Sequence, residues 1–269
     1  MGSGMYFPMA ALGFAILTML TFYLKKPIKS VETNIYGWLM ITNFFGLLLE
    51  LACTIAAYIN NDFPIVSDLI LKSYLAYNLI WTLILTIYVL YISVNKQKLS
   101  QYKNKINLLI GVISTVSLYF IYSLKCILII EDNFRIRYTK GPSVDFTYTI
   151  CGILIFTIIC LIMNNRHELK NKKYIPVYIF LIAIIIGIII QKNFPGLLIM
   201  TYVETLTVAI MYHTIENPDM KLLKEMHKAK EISDNANEEK TMFLYNMTQE
   251  IRNTTDKIND EADIILDSD

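Results

Sequence analysis

Seven stretches of this chain, near residues 5–24, 35–59, 69–94, 106–130, 147–163, 174–190 and 197–215, are apolar over close to the length that crosses a bilayer. Behind them the tail 216–269 is dominated by Lys, Glu, Asp and Asn. A helix needs about 20 apolar residues to span the hydrocarbon core, and only closed hydrogen-bonded elements survive there. The pattern predicts an all-α membrane protein: a seven-helix transmembrane bundle over 5–215 and a polar C-terminal helix in water. At 55% hydrophobic residues the chain is too apolar for a soluble domain of ordinary charge. The seventh stretch is the weakest span, being rich in Thr and carrying Glu204. Met1–Gly4 reads as a cloning remnant, and the first apolar stretch lacks the flanks of a cleaved signal peptide. Cys53, Cys126, Cys151 and Cys160 sit in or beside apolar spans as small buried side chains, with no Cys-x-x-Cys spacing. No metal and no cofactor is implied.

Basic residues in short loops set orientation. The loops after spans one, three and five hold Lys25, Lys26, Lys29, Lys96, Lys98, Lys103, Lys105, Arg166, Lys170, Lys172 and Lys173. Those after spans two, four and six hold only Arg135, Arg137, Lys140 and Lys192. The first set faces the cytoplasm, which puts the N-terminus outside and the C-terminal tail inside a plasma membrane. A net charge of +1 gives no argument for nucleic acid.

An ionisable residue inside a span costs several kcal/mol, of order 2.5 or more, unless it is paired or wetted. Glu50 in span two and Glu204 in span seven lie roughly 10 to 14 Å below the outer surface, at 1.5 Å rise per residue. Lys72 and Lys125 are candidate counter-charges. Helical spacing puts Asn43, Leu47, Glu50 and Thr54 on one face of span two and Tyr74, Asn78, Trp81 and Tyr88 on one face of span three. Thr201, Glu204, Thr205 and Tyr212 share a face of span seven. Two readings stay open for these faces. They line an outward-facing ligand pocket, with Asn43, Glu50, Lys72, Asn78, Trp81, Lys125 and Glu204 as its candidate residues, or they are hydrogen bonds and ion pairs that hold the bundle together. The loop 131–146 is either a lid over such a pocket or a plain connection.

In the tail, Pro218 marks a break or a helix start. Beyond it Leu222, Met226, Ala229, Ile232 and Ala236 recur at nearly heptad spacing, and Phe243, Met247, Ile251, Thr254, Ile258, Ala262 and Ile265 continue the stripe. This predicts one long helix to about residue 266. So thin a stripe needs a partner, most simply the same helix of a second subunit in a dimeric coiled coil.

The run Phe243-Leu-Tyr-Asn-Met-Thr-Gln-Glu-Ile-Arg252 resembles the opening of the dimerisation and phosphotransfer domain of sensor histidine kinases, roughly Phe-Leu-x-Asn-Met-Ser-His-Glu-Ile-Arg-Thr-Pro-Leu. The Ile-Glu-Asn-Pro-Asp stretch at 215–219 is similar to the exit of seven-span sensor kinases into a signalling helix. The resemblance implies a seven-span sensor over 5–215, a signalling helix over 216–240, and over 241–269 the first helix of a degenerate, truncated phosphotransfer domain. Gln249 occupies the slot of the phospho-acceptor histidine. An amide is not a nucleophile, so autophosphorylation there is excluded. Glu250 stands where the family has its general base, and Asn253 where the family orients water for dephosphorylating a response regulator. Thr254 and Thr255 replace Pro-Leu and remove a kink.

No ATP-binding boxes follow residue 252, so the chain as it stands is expected to bind no nucleotide and to catalyse nothing. The expectation is a receptor module of a bacterial two-component kinase. It would relay an extracellular or membrane-borne ligand signal through span seven to a homodimeric helix, with a response regulator as partner of a full-length form. A small transporter or ion-coupled channel with a coiled-coil tail is the alternative, which Glu50 and Glu204 at similar depth would suit. A retinal photoreceptor is set aside, because residues 197–215 hold no lysine for a Schiff base.

Overall fold

A computed structural model describes residues 5–25, 30–94, 96–131, 136–164, 174–194 and 197–266. Met1–Gly4 and the loop residues Lys26, Lys29, Arg135, Arg166, His167, Lys170, Lys172 and Lys173 lie outside them. Among the described residues the order is α1 (Tyr6–Leu24), α2 (Val31–Ile59), α3 (Pro64–Ser93), α4 (Lys96–Ser123), β1 (Ile127–Glu131), β2 (Ile136–Lys140), α5 (Pro142–Asn164), α6 (Ile175–Asn193), α7 (Met200–Met211), a π-helical segment (Tyr212–Glu216) and α8 (Pro218–Leu266). The chain divides into two units, one up to Pro218 and one from Asp219 on.

Among the described residues six helices, α1 to α6, are long and apolar enough to cross a membrane. Their patterning suits lipid as solvent. Large apolar side chains are exposed on the outer faces, such as Phe14, Leu17 and Leu20 on α1, Leu108, Val112 and Val116 on α4, and Ile182, Ile185 and Ile189 on α6. Polar groups go inward instead: Asn43, Glu50, Thr201, Glu204 and Thr205 are all buried. With lipid tails as apolar as any side chain, close packing and hydrogen bonds between helices hold such a bundle, not withdrawal from water.

The helix starts follow local chemistry. Ser30 caps α2, its hydroxyl accepting from the Thr33 amide at 3.0 Å, and Pro64 opens α3, where a missing N–H goes unnoticed. Both helices therefore begin earlier than their apolar runs.

The seventh apolar stretch departs from expectation. Helix α7 has only 12 residues, short of the ~20 that a span needs. It is deeply enclosed, packing on α1, α2 and α6 and burying Thr201, Val203, Glu204, Thr205, Thr207, Val208 and Met211. Enclosure explains its many threonines: Thr205 and Thr207 turn their hydroxyls back onto the carbonyls of Thr201 (2.7 Å) and Val203 (2.9 Å), so neither meets lipid. Near the end of α7 Tyr36 of α2 donates to the Val208 carbonyl at 3.0 Å, and the π segment follows. Asn217 is extended (φ −62°, ψ 116°), as a residue before proline prefers. Helix α7 therefore does not run on into α8.

A second departure is a short hairpin at the end of the fourth apolar stretch, within a chain that is otherwise helical. Residues 127–130 had the apolarity of a span end, but α4 stops at Ser123 and Ile127–Ile130 enter β1, paired antiparallel with β2 so that Ile127 faces Lys140 and Ile129 faces Tyr138. A short β-branched run is ambiguous between buried helix and strand. Its root is fixed by Gly141, whose φ of 128° only glycine adopts easily and where a Cβ would come within 2.8 Å of the Lys125 carbonyl. Ser143 secures the same corner, its hydroxyl donating to the Ile121 carbonyl at 2.9 Å and its amide to the Lys125 carbonyl at 3.2 Å.

In the second unit α8 is a single helix of 49 residues. Leu222, Met226, Ile232, Phe243, Ile251 and Ile258 of the stripe are exposed along it.

Candidate functional site

Three helices contribute a connected set of buried polar side chains to the bundle interior. Tyr74 of α3 donates to Glu50 Oε1 of α2 at 3.0 Å and sits 3.1 Å from the Thr201 hydroxyl of α7. Three residues on, the Tyr77 hydroxyl donates to the Glu204 carboxyl of α7 and lies 3.4 Å from Asn43 Oδ1. Asn43 Nδ2 in turn donates to Thr205 Oγ1 at 3.0 Å. Two tyrosines, two carboxyls, an asparagine and two threonines thus form one network joining α2, α3 and α7. A tyrosine suits this position because it carries a donor to a carboxyl on a largely apolar ring. Gly46 of α2 makes room, since a Cβ there would overlap the Tyr77 ring.

Beside the network is a cavity of about 610 Å³. Glu50 and Glu204 are in its wall with Asn78, Tyr148 and Cys151; aliphatic residues such as Ile155, Ile184 and Ile188 form much of the rest. Leu128, Tyr138 and Thr139 bring the hairpin over it. Exposed Lys192, at the end of α6, stands at its rim. A volume in this range, apolar lining and a few convergent polar groups are the usual makeup of a small-molecule site. Glu50 is 1% exposed, yet its Oε2 has no hydrogen-bond partner among the described residues. Among those residues no group of three or more His, Cys, Asp or Glu could hold a metal ion.

Glu50, Asn78 and Glu204 line the cavity and Asn43 belongs to the network beside it, whereas three other candidates lie elsewhere. Lys72 is no counter-charge to a buried glutamate. It pairs with Asp68 one turn away at 2.8 Å and donates to the Tyr122 carbonyl at 3.1 Å, a local i, i+4 partner being nearer than any carboxyl across the bundle. Lys125 follows the end of α4 and is exposed, because the chain leaves the helix before reaching it. Trp81 is fully buried against Phe180, ring centroids 5.4 Å apart, and does not line the cavity, since α6 covers that level of α3. Leu47 likewise faces Ala11 and Ala15 of α1.

Sequence reasoning missed Tyr77 and Lys192. Tyr77 follows Tyr74 by three residues and so shares its face, a signal that spacing carries.

On α8, Gln249 is exposed and its Nε2 donates to the Tyr245 hydroxyl one turn back at 3.1 Å. Glu250 and Asn253 are exposed too. Helical geometry puts Tyr245, Gln249 and Asn253 on the side away from the apolar stripe. The helix runs through Thr254 and Thr255 unbroken, their hydroxyls bonding the Glu250 and Ile251 carbonyls, each at 2.8 Å.

Compared with known proteins, the chain matches no family, no curated protein and no solved structure. Any functional reading therefore rests on the residues themselves.

Proposed function

We propose that this chain is the receptor and transmission module of a bacterial membrane sensor of the histidine-kinase type. In this reading seven segments lie in the plasma membrane, the short α7 included as an enclosed seventh. The N-terminus is outside, α8 is cytoplasmic, and α8 pairs with the same helix of a second subunit. A ligand enters the cavity from outside. The observation that carries the reading is the network itself: Glu204 and Thr201, which touch α3 through Tyr77 and Tyr74, belong to the helix that leads by sequence into α8. A ligand that binds one arrangement of this network better than another shifts the balance between them, which is all that coupling requires.

The stripe on α8 supports a dimer, as an exposed apolar seam on a polar helix calls for a matching seam. Gln249 in the acceptor slot makes the output a change in helix arrangement and not phosphoryl transfer from this residue. The test is disulfide cross-linking of single cysteines placed along 222–247, in a background without the four native cysteines. The expected result is cross-linking that repeats with the heptad; its absence at every position rejects a dimeric transmission helix.

A second reading, an ion-coupled transporter, is favoured by one observation, two buried carboxyls on a single cavity wall. Substrate or cation flux in reconstituted vesicles that disappears in Glu204→Gln would establish it over the first.

A further inference from the structure

We infer that the cavity takes an organic cation, a compound with an ammonium-type head on an apolar body, and that the head is held by Glu50. The inference rests on reading the cavity as a sensor's ligand pocket and names the ligand's chemistry. Three features of the site lead there.

The first is the unpartnered oxygen. Buried carboxyl oxygens are nearly always hydrogen-bonded, and one that is not marks a group in want of a donor. Glu50 is in the cavity wall; its Oε1 has Tyr74 at 3.0 Å, whereas its buried Oε2 has no hydrogen-bond partner among the described residues. An N–H from a ligand would complete it, and a cationic donor binds a carboxylate more strongly than a neutral one does.

The second is the distribution of charge. Among the described residues the charged side chains lining the cavity are Glu50, Glu204 and Lys192. Both acids are buried, while the lysine is exposed at the rim. Each acid has one tyrosine donor, Tyr77 for Glu204 and Tyr74 for Glu50, and the buried carboxyl oxygen left without one is Oε2 of Glu50. The interior thus selects a positive head and disfavours a carboxylate or phosphate, which would face two acids with no buried cation beside them.

The third is the remaining wall. Leu71, Leu128, Ile155, Ile184, Ile188 and Leu198 are in it, so the body behind the head is apolar. A cavity of about 610 Å³ has ample room for an alkyl or aryl amine of modest size. The aromatic rings of Tyr74 and Tyr148 in the same wall add faces to which an ammonium is attracted.

The test is calorimetric titration of the full chain in lipid nanodiscs with octylammonium, octanol and octanoate, empty nanodiscs serving to subtract partition into lipid. Octylammonium is expected to saturate one site per chain and to bind about tenfold or more tighter than octanol and octanoate. Glu50→Gln, which keeps an acceptor for Tyr74 but removes the charge, should bring octylammonium to the level of octanol with little change in thermal midpoint. Three results would overturn the assignment: no saturable octylammonium binding, octanoate binding as well as octylammonium, or full affinity in Glu50→Gln. The three wild-type titrations decide the question even if that variant fails to fold. Cross-linking along 222–247 run with the same compounds separates the two claims. A response to octanoate but not octylammonium removes the cation and keeps the sensor. Tight octylammonium binding that leaves the cross-linking unchanged keeps the cation and removes the sensor.

Discussion

The two units of this chain handle polarity in opposite ways. In the first, polar side chains are gathered inside and tied to one another, while Leu, Ile and Phe face outward; in α8 charged groups cover most of the surface and a thin apolar stripe lies open among them. Bundle and tail are solved for different solvents. The contrast also separates their sources of order. In the bundle, a tyrosine and a carboxyl that find each other fix how α3 sits on α7, so removing one partner disturbs a specific geometry. On α8, order beyond the helix itself has to come from whatever covers the stripe.

The largest effect should come from crowding the network. Gly46→Leu puts a side chain where the Tyr77 ring lies, and overpacking of this kind typically destabilises by about 1–3 kcal/mol or more. A marked fall in the thermal midpoint of purified protein, or failure to accumulate in the membrane, is the expected outcome. Wild-type stability in Gly46→Leu would mean that the ring packs elsewhere. Next is Tyr77→Phe, which leaves the buried Glu204 carboxyl without its tyrosine donor; a loss of about 1–3 kcal/mol is expected, read by denaturant titration in micelles. Thr205→Val, which removes a neutral interhelical hydrogen bond to Asn43, should cost less, about 0.6 kcal/mol and at most about 1.7.

In α8 the sign of the contrast reverses. Ile251→Lys, on the stripe, should abolish cross-linking of α8 between subunits, whereas Glu250→Lys, beside it and off the stripe, should leave it nearly unchanged. Equal sensitivity at both positions would break the comparison, because the stripe would then be ordinary surface. Lys72→Met removes a buried amine's pair with half-exposed Asp68 and its hydrogen bond to the Tyr122 carbonyl, a loss of about 0.5–1.5 kcal/mol, and should leave octylammonium binding untouched.

Much of this was legible in the sequence, and the failures have physical causes. The apolar runs located α1 to α6, and helical periodicity put Asn43, Glu50, Thr201, Glu204 and Thr205 on inward faces, because a polar group in lipid has nowhere else to turn. Apolar length did not reveal how short and enclosed α7 is, since a helix covered by its neighbours need not match the bilayer. The hairpin was hidden because Ile127–Ile130 is as apolar as a span end; the clues were its β-branched residues and Gly141 shortly after. Lys72 was assigned to the wrong partner because depth was weighed across helices while Asp68 waited one turn away on the same one. Trp81 shares a helical face with Asn78 but not its surroundings, which depend on where α6 crosses and which no periodicity records. The unpartnered oxygen of Glu50 is a property of assembled side chains and has no sequence signature.

The central claim is that the Tyr77–Glu204 bond joins the bundle's interior to the helix that delivers the signal. The most direct measurement is heptad-resolved cysteine cross-linking along 222–247 in the background without the four native cysteines, with Tyr77 intact and with Tyr77→Phe. The account predicts that the positions of strongest cross-linking, or their relative rates, change when the bond is removed. Superimposable profiles in the two proteins would contradict it.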